Sequence, residues 1–407
     1  MPDAPAIQSV IGLPPDETVA AFRARDDLRA TNRWSEMWHG DHALAFTVAK
    51  VAKLDLLDTI RASLDDVVTG GGTFEQWQDK LVPELQKAGW WGDVDDRDLT
   101  GADHPIHVGP RRLRTIFDTN LRMSRAAGRW TRIQALKDVR PYLRYTAVMD
   151  GRTRPQHRIW HGTILPVDHP WWDTHFPPCG WNCRCTVRQL SARDLTRHGW
   201  HVTDMPKEGP PKLFYRAGVP EPVAVPAGIS PGFAYNPGKA HMAAVAEKAT
   251  RTLEAAAALD VAAARSTLDE LVQSDAFLQA LAEPGASFPV MVLDDASRSA
   301  IGAQARVAVL SSDTWAKQNK AHSELTIGDY RKLPDLGGDA DIIAVEGDTI
   351  LKLVRADDGR WLVAIVKRTA SGGGLFVTSY RAQNSASLKR LLKGAEIIFD
   401  RRDGTDQ

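Results

Sequence analysis

Residues 150–185, DGRTRPQHRIWHGTILPVDHPWWDTHFPPCGWNCRC, hold all three cysteines of the chain among histidines, tryptophans, prolines and glycines. Neither the helical nor the strand period runs through such a stretch, so it predicts a compact loop-rich element, about 146–190. His157, His161, Cys179, Cys183 and Cys185 are its candidate ligands for zinc, which takes four N or S donors. The spacing Cys-x3-Cys-x-Cys is not a common zinc-knuckle spacing. On an extended strand Cys183 and Cys185 would point to opposite faces, leaving one a poor ligand. His157 and His161, four apart, would share one side of a helical turn, where a metal or a carboxylate such as Asp150 would meet them. No His-Glu-x-x-His run accompanies them, so a hydrolytic metal site is not expected. The favoured expectation is a hydrogen-bonded polar core of Asp150, Arg152, Arg154 and the histidines beneath tryptophans, with no cofactor. Bound zinc is the alternative.

Upstream, Phe46, Val48, Val51, Leu54, Leu57, Ile60 and Leu64 recur at helical spacing, and Gly70-Gly71-Gly72 breaks the run. A longer helix is expected from Pro110 to about Val139, with Leu113, Ile116, Phe117, Leu121, Trp130, Ile133 and Leu136 as its apolar stripe. Opposite lie Arg111, Arg112, Arg114, Arg122, Arg125, Arg129 and Arg132. Such a face is either solvated or a contact for a phosphate backbone or an acidic protein surface. YLRYTAVMD, ending at Asp150, alternates like a strand.

Downstream, prolines and glycines crowd residues 206–240, which predicts an interdomain linker or tethering arm. Residues 241–285 read as an alanine-rich helical connector ended by Pro284 and Gly285. From 286 to 407 short strands, a helical stretch over WAKQNKAHSELTIGDYRKLPDL, consecutive hairpin strands, then a helix and a last strand are expected. The fold class is therefore α+β: a helical N-terminal half with a small loop-rich β element over 1–205, then a separate C-terminal α+β domain with an antiparallel sheet.

The totals bound the function. Of 407 residues, 51 are Lys or Arg and 51 Asp or Glu, so the net charge gives no reason to expect a nucleic-acid or membrane partner. MPDAPAIQSV lacks a basic flank and an apolar core, so no signal sequence is expected. Three clustered cysteines cannot form a distributed disulfide framework, and a reducing compartment is the simpler assumption.

The blocks Asp150–His157 and Pro177–Cys185 resemble the head-morphogenesis proteins of tailed phages typified by the Mu F protein. HALAFTVAKVAKLDLLDTI, PELQKAGWWG, RRLRTIFDTNLRMSRAAGRW and RPYLRYTAVMD extend the likeness over roughly residues 12–190. The resemblance implies a minor capsid protein at the portal vertex, with portal and capsid proteins as partners and a setting in the virion head or the host cytoplasm. It also gives the arginine face of residues 111–132 a candidate partner, DNA or an acidic portal surface.

Residues 286–407 look like a member of the barnase, EndoU, colicin E5/D and RelE-like nuclease superfamily. That resemblance implies metal-independent RNA cleavage, in which a base takes the 2′-hydroxyl proton and cations hold the phosphate. The residues implied are His322 as acid or base, Lys367, Arg368 and Arg381 as cations, and Thr378, Ser379 and Tyr380 as hydroxyls. An RNA substrate and an immunity protein would be its partners. Two other readings compete: the same head protein with an inert C-terminal binding module, and a zinc enzyme centred on Cys179–Cys185.

Overall fold

The computed structural model describes residues 16–282, 285–322 and 324–404. MPDAPAIQSV, expected to carry no signal sequence, and Pro284, the expected helix stop, lie outside them. The chain divides between Ala244 and Val245 into two compact units. The fold is mixed α+β, as expected.

Helices Asp16–Arg23, Leu54–Gly70, Phe74–Lys87 and Pro110–Ala135 build the body of the first unit. Leu56, Leu57, Ile60, Leu64 and Val68 are the buried face of Leu54–Gly70. The glycine break acts where expected: Gly71 takes φ +76°, and Thr73 then opens the next helix through a capping box with Gln76. Pro110, at the first turn, starts the long helix. All of its expected stripe is buried except Leu136, 46% exposed, because the helix ends at Ala135 and the stripe stops with it.

Gly128 sits where the helix Asp16–Arg23 crosses the long helix. A Cβ there would lie 2.6 Å from the backbone N of Thr18 and 2.8 Å from the carbonyl carbon of Glu17. Neither is a movable side-chain end, so the helices would have to separate. Gly128→Ala is expected to cost about 1–3 kcal/mol, read as a lower urea midpoint at unchanged slope. An unchanged midpoint would mean the helices are not in this contact.

Among the described residues nine short strands complete the unit. β1 (Asp27–Leu28) pairs in parallel with β2 (Ala45–Phe46), and β3 (Gly92–Val94) antiparallel with β4 (Ile106–Val108). β5 (Tyr142–Thr146), β6 (Ile164–Pro166) and β7 (Thr186–Leu190) form an antiparallel sheet in the order β6-β5-β7. Together with Trp160, Trp172 and Phe176, Leu143 and Tyr145 from β5 form its core.

The segment 206–240 differs from the linker expected. It forms the hairpin β8 (Lys212–Phe214) and β9 (Val223–Val225), and Val225, Ile229 and Phe233 enter the same core as Trp160 and Trp172. Phe214 stacks on Trp34 and Trp38, with centroids 5.5 and 5.6 Å apart. Prolines and glycines here shape turns between apolar anchors instead of extending the chain.

Four imidazoles of this unit, His39, His42, His175 and His241, are held down to about 4, first by burial. The unfolded chain takes up protons near pH 6.5 while the folded chain takes them up only near 4. Their contribution is therefore complete above about pH 6.5 and lost as the pH falls toward 4. Denaturant midpoints measured at pH 7.5, 5.5 and 4.5 should fall through that window, and a His42→Gln, His241→Gln variant should flatten the slope.

The expected connector is three helices, Pro237–Leu259, Val261–Gln273 and Asp275–Ala282. Leu253, Ala257, Ala264, Leu268, Val272 and Phe277 belong to the core of the second unit, so most of the segment is part of that unit.

Seven strands follow: β10 (Ser287–Val292), β11 (Val307–Ser311), β12 (Ile342–Glu346), β13 (Ile350–Asp357), β14 (Arg360–Arg368), β15 (Leu375–Gln383) and β16 (Glu396–Asp400). They make one sheet in the order β10-β11-β15-β14-β13-β12-β16, antiparallel except for the parallel pair β11 and β15. Leu362, Ala364 and Val366 face the main core of this unit, while Val363, of opposite parity on β14, packs with Leu388 of the helix Ser385–Leu392. Among the described residues no helix is long and apolar enough to cross a membrane.

A candidate metal centre in the loop-rich element

Asp150 and Arg184 close the element. The guanidinium gives both terminal nitrogens to the carboxylate, at 2.8 and 2.6 Å. That contact, the largest cause, holds the Asp150 carboxyl well below the usual carboxylate range. Arg154 donates to the Trp181 carbonyl at 2.9 Å, and Arg122 of the long helix donates to the Cys183 carbonyl at 2.9 Å. The two sequence blocks, 150–157 and 177–185, are thus joined by charge-assisted hydrogen bonds. The polar core expected from Asp150, Arg152, Arg154 and the histidines does not form as such: Asp150 and Arg152 are exposed, and Arg154 reaches backbone and not the histidines.

His157 opens toward the second block. The helix Pro155–Trp160 carries it, proline occupying the first turn, and its ring is 2% exposed and stacked on Trp160 at 4.8 Å. Its Nε2 lies 3.1 Å from the carbonyl of Gly228, which can only accept, so that nitrogen carries the proton. Nδ1 therefore presents a lone pair, and it faces Cys185 Sγ at 3.5 Å and Cys183 Sγ at 3.7 Å. A backbone carbonyl fixing the far nitrogen of an imidazole is the usual second partner of a metal-bound histidine. In a tetrahedral zinc site with bonds of about 2.0 Å to N and 2.3 Å to S, donor atoms stand about 3.5 Å apart. The three donor atoms here all lie within 4.8 Å of one another.

The expectation that Cys183 and Cys185 face opposite ways is overturned. β7 begins only at Thr186, and Asn182 takes a left-handed φ of +58°, so residues 183–185 are not pleated and both sulfurs meet His157. A hydrogen bond from Cys185 holds the Cys183 thiol low, and the same contact pushes the Cys185 thiol up.

The other two candidates stand apart. His161 is the residue after the helix; its Nδ1 accepts from the Ala147 N–H at 3.1 Å and its Nε2 lies 3.5 Å from Arg144. The pairing of His157 with His161 fails because the helical turn ends between them. Cys179 is fully buried, donating to the His175 carbonyl at 3.4 Å, and burial pushes its thiol up. Among the described residues no fourth His, Cys or carboxylate joins the trio.

Sequence reasoning missed Arg184 and Gly228. The signal for Arg184 was an acid at the head of one block and a cation inside the other. For Gly228 it was hidden in the supposed linker: φ is +90°, and a Cβ would fall 2.4 Å from Gln156 Cγ.

The arginine face of Pro110–Ala135 is largely engaged within the unit. Arg112 lies over Trp90 and donates to the Ala49 carbonyl, Arg114 pairs with Glu75 at 2.7 Å, Arg122 with Asp118 at 3.3 Å and Arg132 with Glu17 at 3.3 Å. Burial is the main cause lowering Arg129 below the usual guanidinium range. Arg111 and Arg125 are exposed.

In the second unit the expected nuclease residues divide between the two faces of the sheet. His322 follows the helix Ser312–Ala321 as its cap and pairs with Glu324 at 3.2 Å. Tyr380 is fully buried against Tyr330 and donates to the Asp329 carbonyl at 2.9 Å. Lys367, exposed and opposite Phe376, alternates with core-facing Val366 and so lies on the other face of the sheet from Tyr380. Arg381, opposite Val363, shares that second face. Thr378 sits at the bulge and donates to the Ile365 carbonyl at 3.2 Å, and Ser379 pairs with Ile365. Arg368 folds back on Asp348, donating to its carbonyl at 3.1 Å.

Residues 58–188 match the family described as Phage Mu protein F like protein. The chain is 45% identical over 192 residues to "Putative capsid assembly protein F" of Escherichia phage Mu, covering 47% of this chain and 44% of that one. It is 38% identical over 177 residues to "Mu-like prophage FluMu F protein" of Haemophilus influenzae, covering 43% of this chain and 42% of that one. The chain thus spans less than half the length of either relative. No solved structure matches it.

Proposed function

We propose that this chain, whose residues 58–188 match the Phage Mu protein F like family, is an assembly component of a phage or prophage head. The observation that carries this is where the likeness falls: it takes in the two blocks that Asp150, Arg184, His157, Cys183 and Cys185 hold together. Its partners on this reading are head proteins, portal and capsid among them, met in the bacterial host cytoplasm or retained in the virion. The test is complementation. A phage deleted for this chain should yield few intact heads, the wild-type chain should restore them, and Asp150→Ala, Arg184→Ala should restore fewer. Normal heads without the chain would exclude the role.

The trio His157, Cys183 and Cys185 supplies three of the four donors of a proposed zinc site, one ion per chain. Its work is architectural, tying the end of the family segment to the long helix through Arg122 and to the segment around Gly228. The soft thiolates and the fixed imidazole suit zinc among divalent ions.

For the second unit the geometry supports a non-catalytic binding module better than a ribonuclease. The observation is the burial of the Tyr380 hydroxyl on the Asp329 carbonyl, on the opposite face from Lys367. Full-length chain incubated with total RNA and with tRNA should cleave no more than its His322→Ala variant, with or without chelator. Cleavage that disappears in that variant would return the ribonuclease reading, and with it an immunity partner. DNA contact through the long helix would rest on Arg111 and Arg125; charge reversal of the two tests it.

A further inference from the structure

The first unit holds a half-open cavity of about 360 Å³, within the range of small-ligand sites. Trp34, Val48, Ile116, Met123 and Phe233 give it apolar walls. Its polar corner is built around Arg25, only 8% exposed. The guanidinium donates to Asn120 Oδ1 at 3.0 Å and to Ser124 Oγ at 2.8 Å, and it lies over the Phe22 ring at 4.7 Å. Both hydrogen-bond partners are neutral, and among the described residues no carboxylate pairs with Arg25.

The other ionisable groups on the wall do not supply the missing charge. His42, His241 and Arg112 are bases, and Tyr235 is held in its neutral form by burial. Asp41, beside His42, is exposed and accepts from the Trp38 N–H at 2.8 Å. His241 Nδ1 is buried without a hydrogen-bond partner. Burial lowers Arg25 to about 10, so it remains a cation at neutral pH. A buried cation without a counter-charge is costly, and two of the five guanidinium donors are in use, leaving three.

We infer that this cavity is a binding site for a small organic monoanion, an apolar body carrying one carboxylate, whose acid group pairs with Arg25. The apolar walls take the body, and the guanidinium selects the charge. Asn120 and Ser124 hold the guanidinium in place from the long helix.

Octanoate and octan-1-ol, matched in body and differing in charge, test this on the full-length chain by isothermal titration calorimetry. Octanoate should bind about tenfold or more tighter than the alcohol, a preference worth about 1.4 kcal/mol. In Arg25→Gln the preference should shrink to within about twofold while octanol binding persists, which shows the cavity intact. Met123→Trp, which fills the apolar wall, should weaken both ligands. Equal binding of acid and alcohol by the wild-type chain, or binding of neither, overturns the assignment. So does an acid preference that survives in Arg25→Gln.

Discussion

Replacing Cys183 and Cys185 by serine is expected to remove zinc from the purified chain, from near one ion to near none, and to lower the melting midpoint by about 8–16 °C. The size follows from two steps. A ligand held at a thousandfold its dissociation constant contributes about 4 kcal/mol to the folded state, and each kcal/mol moves the midpoint about 2–4 °C for a unit of this size. Excess chelator should reproduce the loss in the wild-type chain and add nothing in the double variant. That non-additivity separates metal from simple hydrogen bonding. A wild-type midpoint indifferent to chelator would reduce the trio to thiols hydrogen-bonded with each other and with Nδ1, with serines costing about 1–3 kcal/mol at most.

Trp160→Ala is the second large effect, expected at about 3–5 kcal/mol as a fully buried aromatic is lost. The ring stacks on His157 and meets Tyr145, Trp171 and His175 edge-on, with centroids 5.7, 6.1 and 4.9 Å away. Its removal leaves His157 without the surface that orients it, so zinc affinity should fall together with stability. Trp160→Phe should recover much of both. A Trp160→Ala chain that loses stability but binds zinc as tightly as the wild type would show that Gly228 alone orients the imidazole.

The helices and the C-terminal hairpins were legible because their burial repeats at 3.6 or 2 residues, as Leu57, Ile60 and Leu64 do on one helix. Even there the end of a stripe was not: Leu136 fits the period but follows the last helical turn. Residues 206–240 were misread because Val225, Ile229 and Phe233 are spaced by turns, and no period reports an anchor that reaches the core from a loop. The candidate site was legible in residue types but not in aim. Whether Cys183 and Cys185 face one way hangs on the left-handed Asn182, and the tautomer of His157 hangs on the Gly228 carbonyl, 71 residues along the chain. Arg25, His42 and His241 escaped notice for the same reason, since a cavity gathers them from distant segments. In the second unit, hydroxyls and cations close in sequence on β14 and β15 looked like one site, but successive strand residues alternate faces.

The proposed role in head assembly is tested most directly by quantitative mass spectrometry of purified particles from a host producing this chain. Peptides from residues 16–244 should be found in heads or in their assembly precursors, in a fixed number of copies per particle far below that of the shell protein. Their absence from mature heads and precursors alike would contradict the account.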